Sequence, residues 1–167
     1  QRLAPPAGGF REDTLGTLPR RQNPHMHLLE ACHALAAVSP DPRWLATADR
    51  LVRLMQERML DENGTLGEFF DEDWAAFPGP RGLIREPGHH FEWTWLLYHH
   101  ERLTGSAEAR ETARSLHAFG QRQVDAPTNA SRLVVNEVDP AGAILNGAAL
   151  LWPQTEYLKA LVARIEF

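Results

Sequence analysis

Two polar segments rich in histidine interrupt stretches of this chain whose apolar spacing is helical. Residues 23–30 read NPHMHLLE, and residues 86–93 read EPGHHFEW. Imidazole is the side chain best suited to exchange a proton near neutral pH. Several imidazoles beside carboxylates therefore predict acid–base chemistry.

The second segment is the stronger candidate for that chemistry. Pro87 is predicted to open a helix, which places His89 in the first turn beside backbone N–H groups that have no helical partner. The positive end of the helix dipole disfavours a charged imidazolium and keeps the ring able to accept a proton. Glu92 lies three residues later on the same helix face, where it can orient an imidazole or hold a proton. We predict that His89 and Glu92 act together.

The first segment allows two interpretations. Asn23, His27 and Glu30 have the spacing of one helical stripe, which favours a shared polar site. His25 is rotated by about 200° from His27, so the two rings cannot face one ligand on a regular helix. In the structural interpretation, Asn23 caps the helix, Glu30 is solvated and His27 is a half-buried histidine with satisfied hydrogen bonds.

A third segment, residues 151–156 (LWPQTE), opens the last predicted helix. Trp152 and Glu156 are neighbours at i and i+4, which fits either an aromatic anchor beside a carboxylate or simple core packing. All three segments lie at helix starts beside Pro or Gly. In a ring of helix hairpins, alternate helix starts meet at one mouth, so we expect one pocket to collect all three.

The elements that must position these residues are mainly helical. The apolar spacing predicts helices over residues 24–38, 41–60, 87–103, from 107 onward and over 153–165. Residues 28, 31, 35 and 38 are the expected inward face of the first helix. Residues 61–70 suggest a short hairpin or irregular excursion, and residues 133–138 and 143–145 suggest paired strands around a turn. Residues 1–20, rich in Pro and Gly, are predicted to be loop or linker. No repeat of TPR or HEAT length is present, so a mainly α toroid is preferred to a solenoid.

Composition narrows the class of protein. The chain has 167 residues, 43% of them hydrophobic and 23% charged, which is typical of one globular domain. A net charge of −5 and a single lysine, Lys159, argue against a nucleic-acid partner.

The lone Cys32 is predicted to be a buried thiol, which fits a reducing compartment and a cytoplasmic location. No apolar run is long enough to cross a bilayer, so no membrane partner is expected. The chain starts at Gln1 rather than Met, and we expect it to be a fragment.

Three motifs, in this order and at this spacing, resemble those of the N-acylglucosamine 2-epimerase family. They are RQNPHMHLLEA at residues 21–31, EPGHHFEW at 86–93 and LWPQTE at 151–156. The resemblance implies an (α/α)6 toroid, a barrel of helix hairpins with short β-hairpin excursions. Residues 21–167 would form a central-to-late part of that single barrel domain. It also implies a small sugar bound at the mouth of the barrel, with proton transfer between two histidines and neither metal nor cofactor.

The resemblance also assigns roles to individual residues. His89 matches the first catalytic histidine and Glu92 the carboxylate that supports it. Asn23 and His27 match residues near the sugar, and Trp152 matches an aromatic residue that stacks on it. Family members are roughly double this length, and their second catalytic histidine follows the Trp-Pro-Gln motif at a distance. That histidine is therefore expected to lie outside this chain.

The predicted function is that of an aldose–ketose isomerase or 2-epimerase acting on a hexose such as mannose through an enediol(ate). Two alternatives from other classes stay open. A zinc hydrolase could use His25, His27 and His89 with a carboxylate. A non-catalytic carbohydrate-binding module would need only the pocket. A homo-oligomer in which another chain completes the ring is also open.

Overall fold

The computed structural model describes residue 3 and residues 5–166, except for the side chain of residue 166. Its described part is mainly helical and confirms each predicted helix. The five α-helices are α1 (Asn23–Val38), α2 (Arg43–Leu54), α3 (Pro87–Thr104), α4 (Ala107–Asp125) and α5 (Leu151–Glu166). A π-helical segment, Met55–Met59, continues α2, and a 3-10 helix covers Pro80–Leu83. The short strands are β1 (Arg20–Arg21), β2 (Phe69–Phe70), β3 (Glu137–Val138) and β4 (Ile144–Asn146).

The chain divides into two compact units. Unit one comprises Gln1–Asp61 and Gly67–Leu83, and unit two comprises Glu62–Leu66 and Ile84–Phe167. A linker over residues 1–20 and one barrel domain over 21–167 stay predictions. Within the described residues, no helix combines the length and apolar character that spanning a bilayer requires.

In unit one, α1 packs on α2, and β1 pairs with β2 in an antiparallel sheet. Arg20 lies opposite Phe70 in this sheet. The excursion that begins at residue 61 thus ends in a strand whose partner precedes α1, not in a closed local hairpin. Because β1 ends immediately before α1, the sheet fixes the direction in which the first histidine segment enters its helix.

The predicted inward face of α1 is wrong. Met26, Leu29 and Cys32 are buried, whereas Leu35 and Val38 are exposed. This helix is apolar on more than one side, so two different stripes of residues have helical spacing. The structure buries the stripe that contains Met26 and Leu29, which was not the predicted one. Burial also raises the pKa of the Cys32 thiol, as expected for an unreactive cysteine.

The Asn23 cap that the structural interpretation of the first segment offered is wrong as well. The N-cap residue is Gln22, whose side chain makes no capping hydrogen bond, and Asn23 is the first residue inside the helix. Pro24 occupies the first turn, where its missing N–H costs no helical hydrogen bond. With proline in place and β1 directing the chain, α1 starts without an Asn cap.

In unit two, α3 is the central helix and packs on both α4 and α5. Thirteen of its 18 residues are buried, so it is covered on most sides and shows no polar face. The Ser106 hydroxyl accepts a hydrogen bond from the Ala109 N–H (3.2 Å) and so caps the start of α4. The apolar residues of α4 that recur at helical spacing are buried: Ala109, Ala113, Leu116 and Phe119. Strands β3 and β4 pair in an antiparallel sheet around the predicted turn.

Candidate functional site

The start of α3 in unit two carries the second histidine segment. Pro87 lies in the first turn, and Glu86 precedes it as the N-cap residue with an extended backbone. The Glu86 carbonyl accepts hydrogen bonds from the His90 N–H (3.2 Å) and from the His90 ring Nδ1 (2.9 Å). These bonds engage the Glu86 carbonyl at the start of the helix. His89 and Glu92 therefore lie in the first two turns of α3.

His89 is buried between a carboxylate and an aromatic ring. Its Nδ1 lies 3.3 Å from Oε2 of Glu86, and its ring centroid lies 4.9 Å from that of Trp152. Glu92, also buried, lies one turn further along α3. Sequence reasoning missed Glu86. An acidic residue before proline, three residues ahead of a histidine, is the signal that could have found it.

A close approach of α3 and α5 brings Trp152 to His89. A Cβ atom at residue 88 would lie 2.6 Å from the Trp152 ring and 2.9 Å from Pro153. Only glycine at this position lets the two helix starts come so near. Unit two therefore joins the second and third sequence segments, as expected. The first segment belongs to unit one.

Glu156 links α5 to α3 away from His89. Its Oε2 accepts a hydrogen bond from the Trp95 indole N–H at 2.8 Å, and the Lys159 ammonium lies 2.8 Å from the same oxygen. The Lys159 ammonium also lies 4.3 Å from the centroid of the Trp95 ring. The carboxylate and its two partners stabilise the packing of α5 on α3.

His90, the neighbour of His89, uses both ring nitrogens to hold the backbone. Its Nε2 accepts a hydrogen bond from the Leu66 N–H (3.0 Å), while its Nδ1 donates to the Glu86 carbonyl (2.9 Å). The ring also stacks on Phe119, with centroids 4.4 Å apart. His90 is therefore a structural histidine.

In unit one, His25 repeats this arrangement at the start of α1. Its Nε2 accepts a hydrogen bond from the Phe10 N–H (2.8 Å), and its Nδ1 donates to the Arg21 carbonyl (3.0 Å). Burial is the main reason that the pKa of His25 falls to about 4, since a buried ring disfavours the charged form. His25 is thus held neutral, with both nitrogens engaged.

The other two candidates on α1 are more accessible. His27 is exposed, and its Nδ1 lies 3.4 Å from Oε2 of Glu30. Asn23 is half-buried at the first position of the helix. His25 and His27 therefore differ in burial and in partners, as the helical phase predicts.

These contacts bear directly on the zinc alternative. The His25 nitrogens are both engaged by backbone groups, so His25 and His27 do not form a two-histidine metal site. The ring nitrogens of His25 would have to leave the backbone before they could bind zinc.

The depressed pKa of His25 predicts that unit one loses stability in acid. The unfolded ring takes up a proton near pH 6.5, whereas the folded ring does so only near pH 4. Between these values the unfolded state binds more protons, so stability falls as the pH decreases. We expect a loss of up to about 3 kcal/mol from pH 7 to pH 4, measured by urea unfolding with the Phe10 amide resonance as the local probe.

Two variants test whether His25 causes this loss. In His25→Gln, the amide can still donate and accept but does not titrate, so the stability should depend less on pH. His25→Phe removes both hydrogen bonds as well, and should lower stability at pH 7 by about 1–3 kcal/mol. An acid-induced loss that is equally large in wild type and His25→Gln would contradict the assignment.

The chain is similar to known proteins over almost its entire length. The sequence profile of the N-acylglucosamine 2-epimerase (GlcNAc 2-epimerase) family matches residues 3–166. The chain is 44% identical over 160 residues to a mannose-6-phosphate isomerase of Rhizobium meliloti (strain 1021), covering 94% of this chain and 41% of that protein.

Solved structures of the same kind share the fold. A crystal structure of D-mannose isomerase superposes with a TM-score of 0.80 at 22% identity, over 90% of this chain and 39% of that one. The cellobiose 2-epimerase from Spirochaeta thermophila DSM 6192 superposes with a TM-score of 0.80 at 26% identity, over 99% of this chain and 45% of that one.

These neighbours have the (α/α)6 fold, and this chain spans less than half the length of each relative named above. The family match covers nearly every residue and contains all three motifs. The chain belongs to the N-acylglucosamine 2-epimerase family, whose members include sugar isomerases and epimerases.

Proposed function

We propose that the complete protein carrying this chain is a sugar isomerase or 2-epimerase in which His89 is one of two histidine acid–bases. The observation that carries the proposal is the buried His89 ring, held between the Glu86 carboxylate and the Trp152 ring. A general base must be held in position within reach of the proton that it removes from the substrate. An aromatic ring suits the apolar C–H surface of a sugar. The neighbouring starts of α3 and α5 combine both.

The proposed reaction moves one proton on a ring-opened hexose. His89 accepts the proton at C2, and the electron pair of the broken C–H bond forms an enediol(ate) with the C1 carbonyl. Return of a proton to C1 gives the ketose, and return to the opposite face of C2 gives the epimer. In this scheme the second histidine lies outside the present chain and serves the face that His89 does not reach. The proton transfers use side chains without a metal or cofactor.

The remaining candidates take supporting roles in this proposal. Glu92 supports the site from the second turn of α3, and Trp152 stacks on the sugar beside the base. Asn23 and His27 contribute hydrogen bonds to the sugar hydroxyls. These assignments rest on the motif matches, on the burial of Glu92, and on the contact between Trp152 and His89.

Mannose is the preferred substrate class. Two of the relatives are a mannose-6-phosphate isomerase and a D-mannose isomerase, and the first of them aligns with 94% of this chain. We extend the proposal to a cytoplasmic location, because Cys32 is the only cysteine and is buried as a thiol.

Proton exchange with solvent tests the proposed reaction. The complete protein is incubated with mannose, mannose 6-phosphate or cellobiose in D2O, and deuterium at C1 and C2 is followed by NMR. We expect incorporation at C2 that persists in EDTA. Hydrolysis of cellobiose or mannose 6-phosphate that EDTA abolishes, with no deuterium at C2, would instead favour the metal hydrolase. Binding with neither reaction would favour the carbohydrate-binding module.

A further inference from the structure

Glu86 occupies a helix-capping position without capping the helix. Ser, Thr, Asp and Asn are preferred there, because their short side chains accept a hydrogen bond from the first turn. The Glu86 side chain makes no such bond. Its Oε2 lies instead 3.3 Å from Nδ1 of His89, and both side chains are largely buried. The residue is poorly suited to the local structure and well placed for the histidine.

We propose that Glu86 is a positioning residue that keeps the His89 proton on Nδ1 and its lone pair on Nε2. A carboxylate can only accept from a neutral imidazole, so the nitrogen facing it must carry the hydrogen. The other nitrogen is then the one that can take a proton from a substrate carbon. The catalytic consequence rests on the proposed function of His89, whereas the tautomer itself does not.

The surroundings of the ring restrict it to this orientation. Trp152 lies against His89 at a centroid distance of 4.9 Å, and Gly88 lets α5 approach closely enough for this contact. With Trp152 against the ring and Glu86 beside Nδ1, rotation of the imidazole breaks at least one contact. A buried base held this way needs little reorganisation before it accepts a proton.

The negative charge of the Glu86 carboxylate also offsets the positive end of the α3 helix dipole. The positive end of the α3 dipole disfavours a cation at His89. When Nε2 takes the C2 proton, the ring becomes an imidazolium, and the Glu86 carboxylate stabilises that charge from the Nδ1 side. Glu86 therefore acts both on the orientation of the base and on the charge that the reaction creates.

The side chain of Glu86 can be altered without removing its backbone role. The hydrogen bonds that secure His90 are accepted by the Glu86 main-chain carbonyl, which any residue supplies. Glu86→Gln keeps the size of the side chain and removes its charge, and Glu86→Ala removes the acceptor altogether. Retention of the melting temperature in both would show that the helix start is intact.

The tautomer is measured directly on the complete protein. Nitrogen-15 NMR of the imidazole rings, at a pH where His89 is neutral and with its signals assigned by their loss in His89→Asn, distinguishes Nδ1–H from Nε2–H. We expect Nδ1–H in the wild type and a shift towards Nε2–H, the form histidine prefers in water, in Glu86→Ala. A wild-type ring that carries its proton on Nε2, or a tautomer ratio unchanged in Glu86→Ala, would overturn the proposal.

Kinetics of the complete protein test the catalytic consequence. Glu86→Gln should lower kcat for mannose by about 100-fold while changing KM by less than about threefold, and Glu86→Asp should recover part of the rate. Glu111→Gln, which removes an exposed carboxylate of α4, is the matched control and should leave both constants unchanged. An unchanged kcat in Glu86→Gln would contradict the catalytic role. Failure of the proposed function would appear separately, as deuterium exchange that survives in His89→Asn.

Discussion

Replacing His89 with Asn in the complete protein is expected to lower deuterium exchange at C2 of mannose by about 1,000-fold. Asn is neutral, smaller than His and cannot accept a proton, so the variant removes the base. General acid–base groups contribute factors of about 100 to 10,000, and 1,000-fold corresponds to about 4 kcal/mol of transition-state stabilisation. Exchange is measured by NMR at saturating sugar, so that a change in binding does not obscure the rate.

The matched control is the same substitution on the same helix. His99 is half-buried near the end of α3, and its Nδ1 lies 2.8 Å from the Arg102 guanidinium, well along the helix from His89. His99→Asn should leave the exchange rate within about threefold, because His99 lies ten residues, almost three helical turns, beyond His89 on α3. Equal losses in both variants would assign the effect to the helix rather than to His89.

Phe91→Ala is expected to produce the largest loss of stability, about 3–5 kcal/mol. Phe91 follows the two histidines on α3 and is fully buried. Its ring centroid lies 4.6 Å from that of Tyr157 on α5, and the same ring lies over Gly120 on α4. One side chain therefore joins three helices of unit two, and truncating it leaves a cavity among all of them. Urea unfolding followed by near-UV circular dichroism measures the change.

Gly120 supplies the matching test of this packing. A Cβ atom at residue 120 would lie 2.6 Å from the Phe91 ring. Gly120→Ala gains about 1 kcal/mol of helix propensity but costs about 1–3 kcal/mol through the overlap, so we expect net destabilisation. Phe91→Leu combined with Gly120→Ala should recover part of the loss. A cost below about 1 kcal/mol for Phe91→Ala would show that the core of unit two lies elsewhere.

The helices could be predicted because their signals are local. Pro87 opens α3, Ser106 caps α4, and the apolar spacing of α4 matches its buried face. The same reasoning failed for α1, where two apolar stripes have helical spacing and only tertiary contacts choose Met26 and Leu29 over Leu35 and Val38. Helix periodicity thus located the elements more reliably than it oriented them.

The site was predictable to the extent that it depends on motif and helical phase. His89 and Trp152 were selected from separate segments, and the structure places their rings in contact. Glu86 was missed because its position indicates a helix cap, and the direction of its side chain depends on the fold. The roles of Asn23, His27 and Glu92 stay predictions.

The hydrogen bonds of His25 and His90 imply a repeat that sequence periodicity does not detect. In each unit, an imidazole near a helix start donates to the carbonyl four residues earlier and accepts from the amide of a segment 15 or 24 residues upstream. The nearest upstream proline is one residue before His25 and three before His90. What recurs is therefore a hydrogen-bonding pattern rather than a string of letters. Because of this pattern, His90 holds the backbone, whereas its neighbour His89 lies beside Glu86 and Trp152. Exchanging the roles of His89 and His90 would therefore require rebuilding the segment that ends at Leu66, whose amide donates to His90.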